Sequence, residues 1–286
     1  MAITFPGLRA AFFQHTAAYA AKVCPDAPAA AAPAPESAPA PALAPSAWAE
    51  KHLQFTPSAK QAQILDSGAR FLILCCNRQW GKTTTIALKT LHRAISTPGQ
   101  AIVIISRTKF QAGILIERAC RFARRLGYPV RRYLGERFSL ALPNGSSILA
   151  VSHCQDTSAG NTADVLVVDE AALVQDLVYS SVTAFTSRTR GAIWLLSTPR
   201  RQVGFFYNIW HDGDQRWLRV LSTVKDCPDI DPEFLKMQQA LDPIKYRQDF
   251  LCEFIQPANR LVTREALDNL VDPTLSAWKL QKPQRP

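Results

Sequence analysis

The sequence predicts an α/β fold, a mostly parallel sheet with helices on both faces, and three observations carry that expectation. Four short apolar runs, RFLILCCN (70–77), AIVIIS (101–106), VLVVDE (165–170) and AIWLLSTP (192–199), have the length and composition of strands buried on both faces. Helical patterns separate strands: Ile86, Leu88, Leu91 and Ile95 recur at helical spacing within 81–95, and a second helical stretch covers 109–126. FSLALPNGSSILAVS (138–152) sets Asn144-Gly145 between two alternating apolar runs, the signature of a β-hairpin. Buried strands that alternate with helices pack as a parallel sheet, because each crossover helix covers the face of the strands it joins.

At 286 residues the chain is long enough to bury a substantial core, in one main domain. Residues 24–47 hold 18 alanines and prolines in 24 positions, a composition that extends as polyproline-like coil and buries nothing. They read as a linker between a short N-terminal segment (1–23) and a globular domain that begins near Trp48. Residues 1–49 carry no net charge, since Arg9 and Lys22 offset Asp26 and Glu36, so the formal charge of +10 belongs to the remaining chain and suits a polyanionic partner. Seven cysteines show no C-x-x-C pair and no zinc-type grouping with histidine, which points to reduced thiols rather than a metal or disulfide framework. The N-terminal apolar run, broken by Arg9, Gln14 and His15, is too short for a bilayer span and makes a poor signal core. A soluble, cytoplasmic protein without a membrane partner is the expectation.

CNRQWGKTTT (76–85) ends like a phosphate-binding loop, G-x-x-x-x-G-K-[ST], but has Cys76 where the first glycine belongs. Such a loop works because backbone N–H groups between a strand and a helix converge on an anion at the helix N-terminus. The strand and helix patterns flank it as required. Gly81 permits close backbone approach, Lys82 reaches the β- and γ-phosphates, and Thr83 supplies a hydroxyl for Mg²⁺. VLVVDE provides the other half of an ATP site: its strand delivers Asp169 beside the loop to hold the hydrated metal, and Glu170 follows as general base for the attacking water. The missing glycine contributes turn geometry and is expected to be dispensable.

Gln61 to Leu65 upstream, Arg78 to Thr84, Gly160 to Ala172, Ser197 to Pro199 and Phe205 to Trp210 follow one another in an order that resembles the ATPase domain of the large terminase subunit of tailed phages, in its T-even-like branch. The resemblance covers about residues 53–256, with YRQDFLCEF (246–254) matching its usual close. It implies a phosphate-loop NTPase of the ASCE/RecA-like type over 48–256 and an ATP-hydrolysing, DNA-packaging motor that uses Mg²⁺. It implies that Gln61 recognises adenine, with Gln63 close enough to be confused with it, and that Arg78, Gln79, Trp80, Gly81, Lys82, Thr83 and Thr84 surround the nucleotide. Arg78, Lys82 and Glu170 are then catalytic, Thr83 and Asp169 hold the metal, and Ser197, Thr198 and Pro199 form the coupling motif. The implied partners are double-stranded DNA, a portal protein, a small terminase subunit and further copies of this chain in a ring, in a bacterial host.

Two departures stand out. Ala159 replaces the arginine that many large terminases place before the glycine of the G-x-[TS] segment. The family normally continues into a nuclease domain, whereas the tail at 257–286 offers only Glu265, Asp268 and Asp272 in one short segment. No DNA cleavage by this chain is expected, and a separate nuclease chain becomes a candidate partner. In residues 117–137 seven arginines face two glutamates, and Arg118, Arg121 and Arg125 share a helical face that fits DNA phosphates, a neighbouring subunit or solvent. A helicase-like translocase and a decayed prophage fragment that only binds a partner stay open at this point. Against the helicase, no second phosphate-loop-like repeat follows residue 256.

Overall fold

The apolar runs become the central strands of a seven-stranded sheet. The computed structural model describes residues 43–130, 139–152 and 162–256. Residues 1–23, most of the 24–47 linker, Ala159, Gly160, Arg131 to Arg137 and the tail with Glu265, Asp268 and Asp272 lie outside them, so the expectations placed there do too. In chain order the elements are α1 (Pro45–Leu53), α2 (Ala59–Asp66), β1 (Phe71–Cys76), α3 (Lys82–Ser96), β2 (Ala101–Ser106) and α4 (Lys109–Arg125). The hairpin strands β3 (Ser139–Ala141) and β4 (Ser147–Ser152) come next, then β5 (Val165–Asp169), α5 (Asp176–Thr183), β6 (Ala192–Ser197), α6 (Phe205–Asp212), β7 (Trp217–Ser222), α7 (Pro232–Leu241) and α8 (Pro243–Asp249).

The strand order is β3-β4-β2-β5-β6-β1-β7, and every pairing is parallel except that of β3 with β4. Alternation along each strand divides the core in two. Leu72, Leu74, Ile102, Ile104, Val165 and Val167 pack with α3 and α4 on one face. Ile73, Val103, Ile105, Leu166 and Val168 pack with Val182, Phe205 and Phe206 on the other. Among the described residues no helix is long and apolar enough to cross a membrane.

Two of the differences from the sequence reading have a plain physical cause. β7 went unread because it is an edge strand interrupted by a charge: Arg219 in WLRVLS donates to the carbonyls of Ile209, Trp210 and Gly213 at the C-terminal end of α6, where a cation is favoured. α1 starts at Pro45, inside the stretch assigned to the linker, because proline fits the first turn of a helix. Ser46 bonds both carboxylate oxygens of Asp66, at 2.7 Å through its N–H and 2.6 Å through its hydroxyl. A chain shortened to begin at Leu43 is therefore expected to unfold like the full protein in urea. One beginning at Trp48 should lose about 1–2 kcal/mol with those two bonds, and equal midpoints for the two would show that the first turn of α1 contributes nothing.

Candidate active site

Cys76 is still strand: it pairs with Ser222 of β7 in parallel register, so no turn is required of it. The turn comes later, through the left-handed residues Gln79 (φ 65°) and Gly81 (φ 94°). Gly81 is restricted twice over, by its φ and because a Cβ there would lie 3.1 Å from Nε2 of Gln61. Asn77 N–H donates to the Ser222 carbonyl and Arg78 N–H to the Asp249 carbonyl, both at 2.9 Å, so the loop is strapped to β7 and to the end of α8. α3 begins at Lys82 with no side-chain cap, leaving its first-turn N–H groups available to an anion.

The structure brings Lys82, Glu170, Ser197 and Thr198 together. Lys82 Nζ lies 3.3 Å from Glu170 Oε1 and 3.5 Å from Thr198 Oγ1. Ser197 Oγ donates to the Thr198 carbonyl at 2.8 Å and lies 3.4 Å from Glu170 Oε2. Glu170 stands in the left-handed region (φ 51°) just past β5, which turns its carboxylate toward β6, and such strain in a non-glycine residue is characteristic of functional sites. Asp169 is buried, and burial first, then the charge of Glu170, pushes its carboxyl up to about 7 against the opposing effects of Lys82, the Glu170 N–H and Arg118. A divalent cation is the natural counterweight to that carboxylate, and the oxygen donors Asp169 and Thr83 suit Mg²⁺.

The remaining expected residues divide. Gln61, not the exposed Gln63, reaches the loop: its Nε2 donates to the Trp80 carbonyl at 3.1 Å, while its Oε1 accepts from Ser58 N–H in the capping box of α2. The Trp80 side chain is buried in the core cluster that also holds Ile64 and Leu72, while its carbonyl accepts from Gln61. Gln79 is exposed. Arg78 is docked on Asp249, Nε to Oδ2 at 2.9 Å. Pro199 is tied to α8, its carbonyl accepting from Gln248 Nε2 at 2.9 Å.

Sequence reasoning missed Asp249 and its partner Arg200. Asp249, with a side chain only 3% exposed, also faces Arg200, whose Nη1 lies 3.6 Å from Oδ1. It thus bridges the loop arginine and the residue after the coupling motif. Arg118, Arg121 and Arg125 are exposed, as their shared helical face requires, and Arg118 also donates to the Thr84 hydroxyl on the first turn of α3. Arg121 pairs with Glu117 at 3.7 Å and stays largely exposed.

The family described as terminase large subunit, T4likevirus-type, N-terminal, matches residues 52–268. The terminase large subunit of Thermus virus P23-45 is 24% identical over 257 residues, covering 77% of this chain and 52% of that protein, so this chain spans about half the length of the curated relatives it matches. Among solved structures, the large terminase ATPase domain of Thermus phage P74-26 superposes with a TM-score of 0.66 at 22% identity, over 74% of this chain and 100% of that one. The large terminase of a thermophilic bacteriophage, solved in complex with ADP, gives 0.59 at 18% identity, over 69% of this chain and 53% of that one. These likenesses establish the fold, the mostly parallel α/β sheet of large terminase ATPase domains.

Proposed function

We propose that this chain, which belongs to the T4likevirus-type family of terminase large subunits, hydrolyses ATP to drive double-stranded DNA into a viral procapsid. The observation that carries the reading is the meeting of Lys82, Glu170 and Thr198 at the mouth of an uncapped helix, with Glu170 and Thr198 each within 3.5 Å of the Lys82 ammonium. A phosphate chain lying on the free N–H groups of α3 takes Lys82 away from Glu170, and the freed carboxylate is then placed to accept a proton from the attacking water. Bound Mg²⁺ would neutralise charge on the β- and γ-phosphates, with Thr83 and Asp169 as its protein ligands. Gln61 braces the loop from the base-binding side and Arg78 supplies a further cation.

Coupling follows from the connections of β6. Ser197 touches the Glu170 carboxylate, and the Pro199 carbonyl two residues on is bonded to α8, so a change at the γ-phosphate displaces the α7–α8 pair through one strand end. The motor reading extends to a homo-oligomeric ring on a portal protein in the bacterial cytoplasm, with a small terminase subunit as a further partner. The test is phosphate release by the purified chain with Mg²⁺ and ATP, alone and with portal-bearing procapsids and linear DNA. Turnover that rises on assembly, with DNA becoming protected from added nuclease, is the expected result. Phosphate release no greater than that of Asp169→Ala would reject the reading.

A further inference from the structure

Ser106 is the last residue of β2, and neither the motif reading nor the roles above use it. The register of β2 with β5 pairs Ile104 with Val167 and Ile105 with Val168, so the next step sets Ser106 beside Asp169. The two side chains also share a face of the sheet. Ile102 and Ile104 pack in the same layer as Val165 and Val167, and two residues on in each strand come Ser106 and Asp169. That is the face covered by α3, whose first turn carries Thr83.

Ser106 is fully buried, and its hydroxyl has no hydrogen-bond partner among the described residues. Buried hydroxyls are nearly always satisfied, because hydration is forfeited on burial and nothing replaces it otherwise. An apolar residue of similar size would make a more stable strand at this position, so a serine here calls for an account beyond packing. One Asp169 oxygen, Oδ1, accepts from Glu170 N–H at 3.0 Å.

We propose that Ser106 is a positioning residue of the metal site: when Mg²⁺ and nucleotide are bound, its hydroxyl donates to Asp169 and holds that carboxylate toward the ion. The inference rests on the reading of Asp169 as a metal ligand and assigns the group that orients it. Partners that orient a ligating carboxylate alter metal affinity roughly 10–100-fold when removed.

The experiment compares Ser106→Ala, Ser106→Thr and Ser106→Val for two properties: the melting temperature without nucleotide, and the Mg²⁺ concentration that half-saturates binding of a fluorescent ATP analogue. Threonine and valine have nearly the same shape and differ in the hydroxyl, so that pair decides the matter even if alanine disturbs the fold. The expected result is a melting temperature in Ser106→Ala equal to or above that of the parent, with a Mg²⁺ half-point about tenfold higher. Ser106→Thr should stay near the parent and Ser106→Val should follow alanine, while binding of the analogue in EDTA stays the same in all four proteins. Equal half-points for threonine and valine would overturn the proposal, as would a fall in melting temperature with no change in Mg²⁺ dependence. A parent protein whose nucleotide affinity ignores Mg²⁺ would remove the metal reading itself and Ser106 with it.

Discussion

Replacing Glu170 with glutamine is expected to lower ATP turnover by at least about a hundredfold while nucleotide affinity stays the same or tightens. General base catalysis contributes on the order of 10²–10⁴ to such reactions, and glutamine keeps the shape of the side chain while losing its ability to take a proton. The second half of the expectation comes from the ion pair. Without nucleotide, Lys82 is held 3.3 Å from Glu170, and phosphate must compete with that carboxylate for the ammonium. Glutamine removes the competitor, so binding gains what the pair had contributed, an amount kept small because both side chains are partly exposed. Steady-state phosphate release and titration with a fluorescent nucleotide separate the two quantities. Normal turnover in the variant would take Glu170 out of the reaction, and a large loss of affinity would mean that its carboxylate organises the loop instead.

The strands flanking the site were legible because burial on both faces leaves no room for polar residues. β2 runs over the very residues expected, 101–106, and β5 ends one residue before the expected Glu170. Side-chain destinations were harder to read. A helical face can be drawn from spacing, and Arg118 is exposed as that face requires, but its contact with Thr84 depends on α4 lying against α3, which spacing does not show. Trp80 sits inside a recognised motif, yet its ring is buried in the core beneath α3 and α4. Ser106 carried no signal and Asp249 none of its own within the closing segment YRQDFLCEF, since a serine at a strand end and an aspartate in a short helix are ordinary, and their meaning lies in neighbours 63 and 171 positions away.

Asp249 leads to the other large effect, a division of labour between the two ends of one ion pair. Arg78→Ala is expected to cut turnover by roughly 10²–10³, the range found when a fixed donor is removed from a transition state, with little change in stability. The Arg78 side chain is 49% exposed, and Asp249 keeps Arg200 as a partner when Arg78 is lost. Asp249→Ala acts on the fold instead. Its carboxylate is 3% exposed and neutralises Arg200, itself three-quarters buried, so removal strands a poorly hydrated cation at a cost of about 3–5 kcal/mol. Asp249→Asn distinguishes docking from charge burial: it keeps the size of the side chain but holds Arg78 weakly, so the arginine spends more time free to approach phosphate and nucleotide affinity rises. The same substitution weakens the tie between the loop and α8, and on the motor reading it should leave ATP hydrolysis running while DNA movement falls behind. Urea denaturation, nucleotide titration and phosphate release on the three variants check these outcomes together. Turnover within threefold of the parent in Arg78→Ala would show that Arg78 remains with Asp249 throughout the cycle, and that the pair is a strut rather than a moving part.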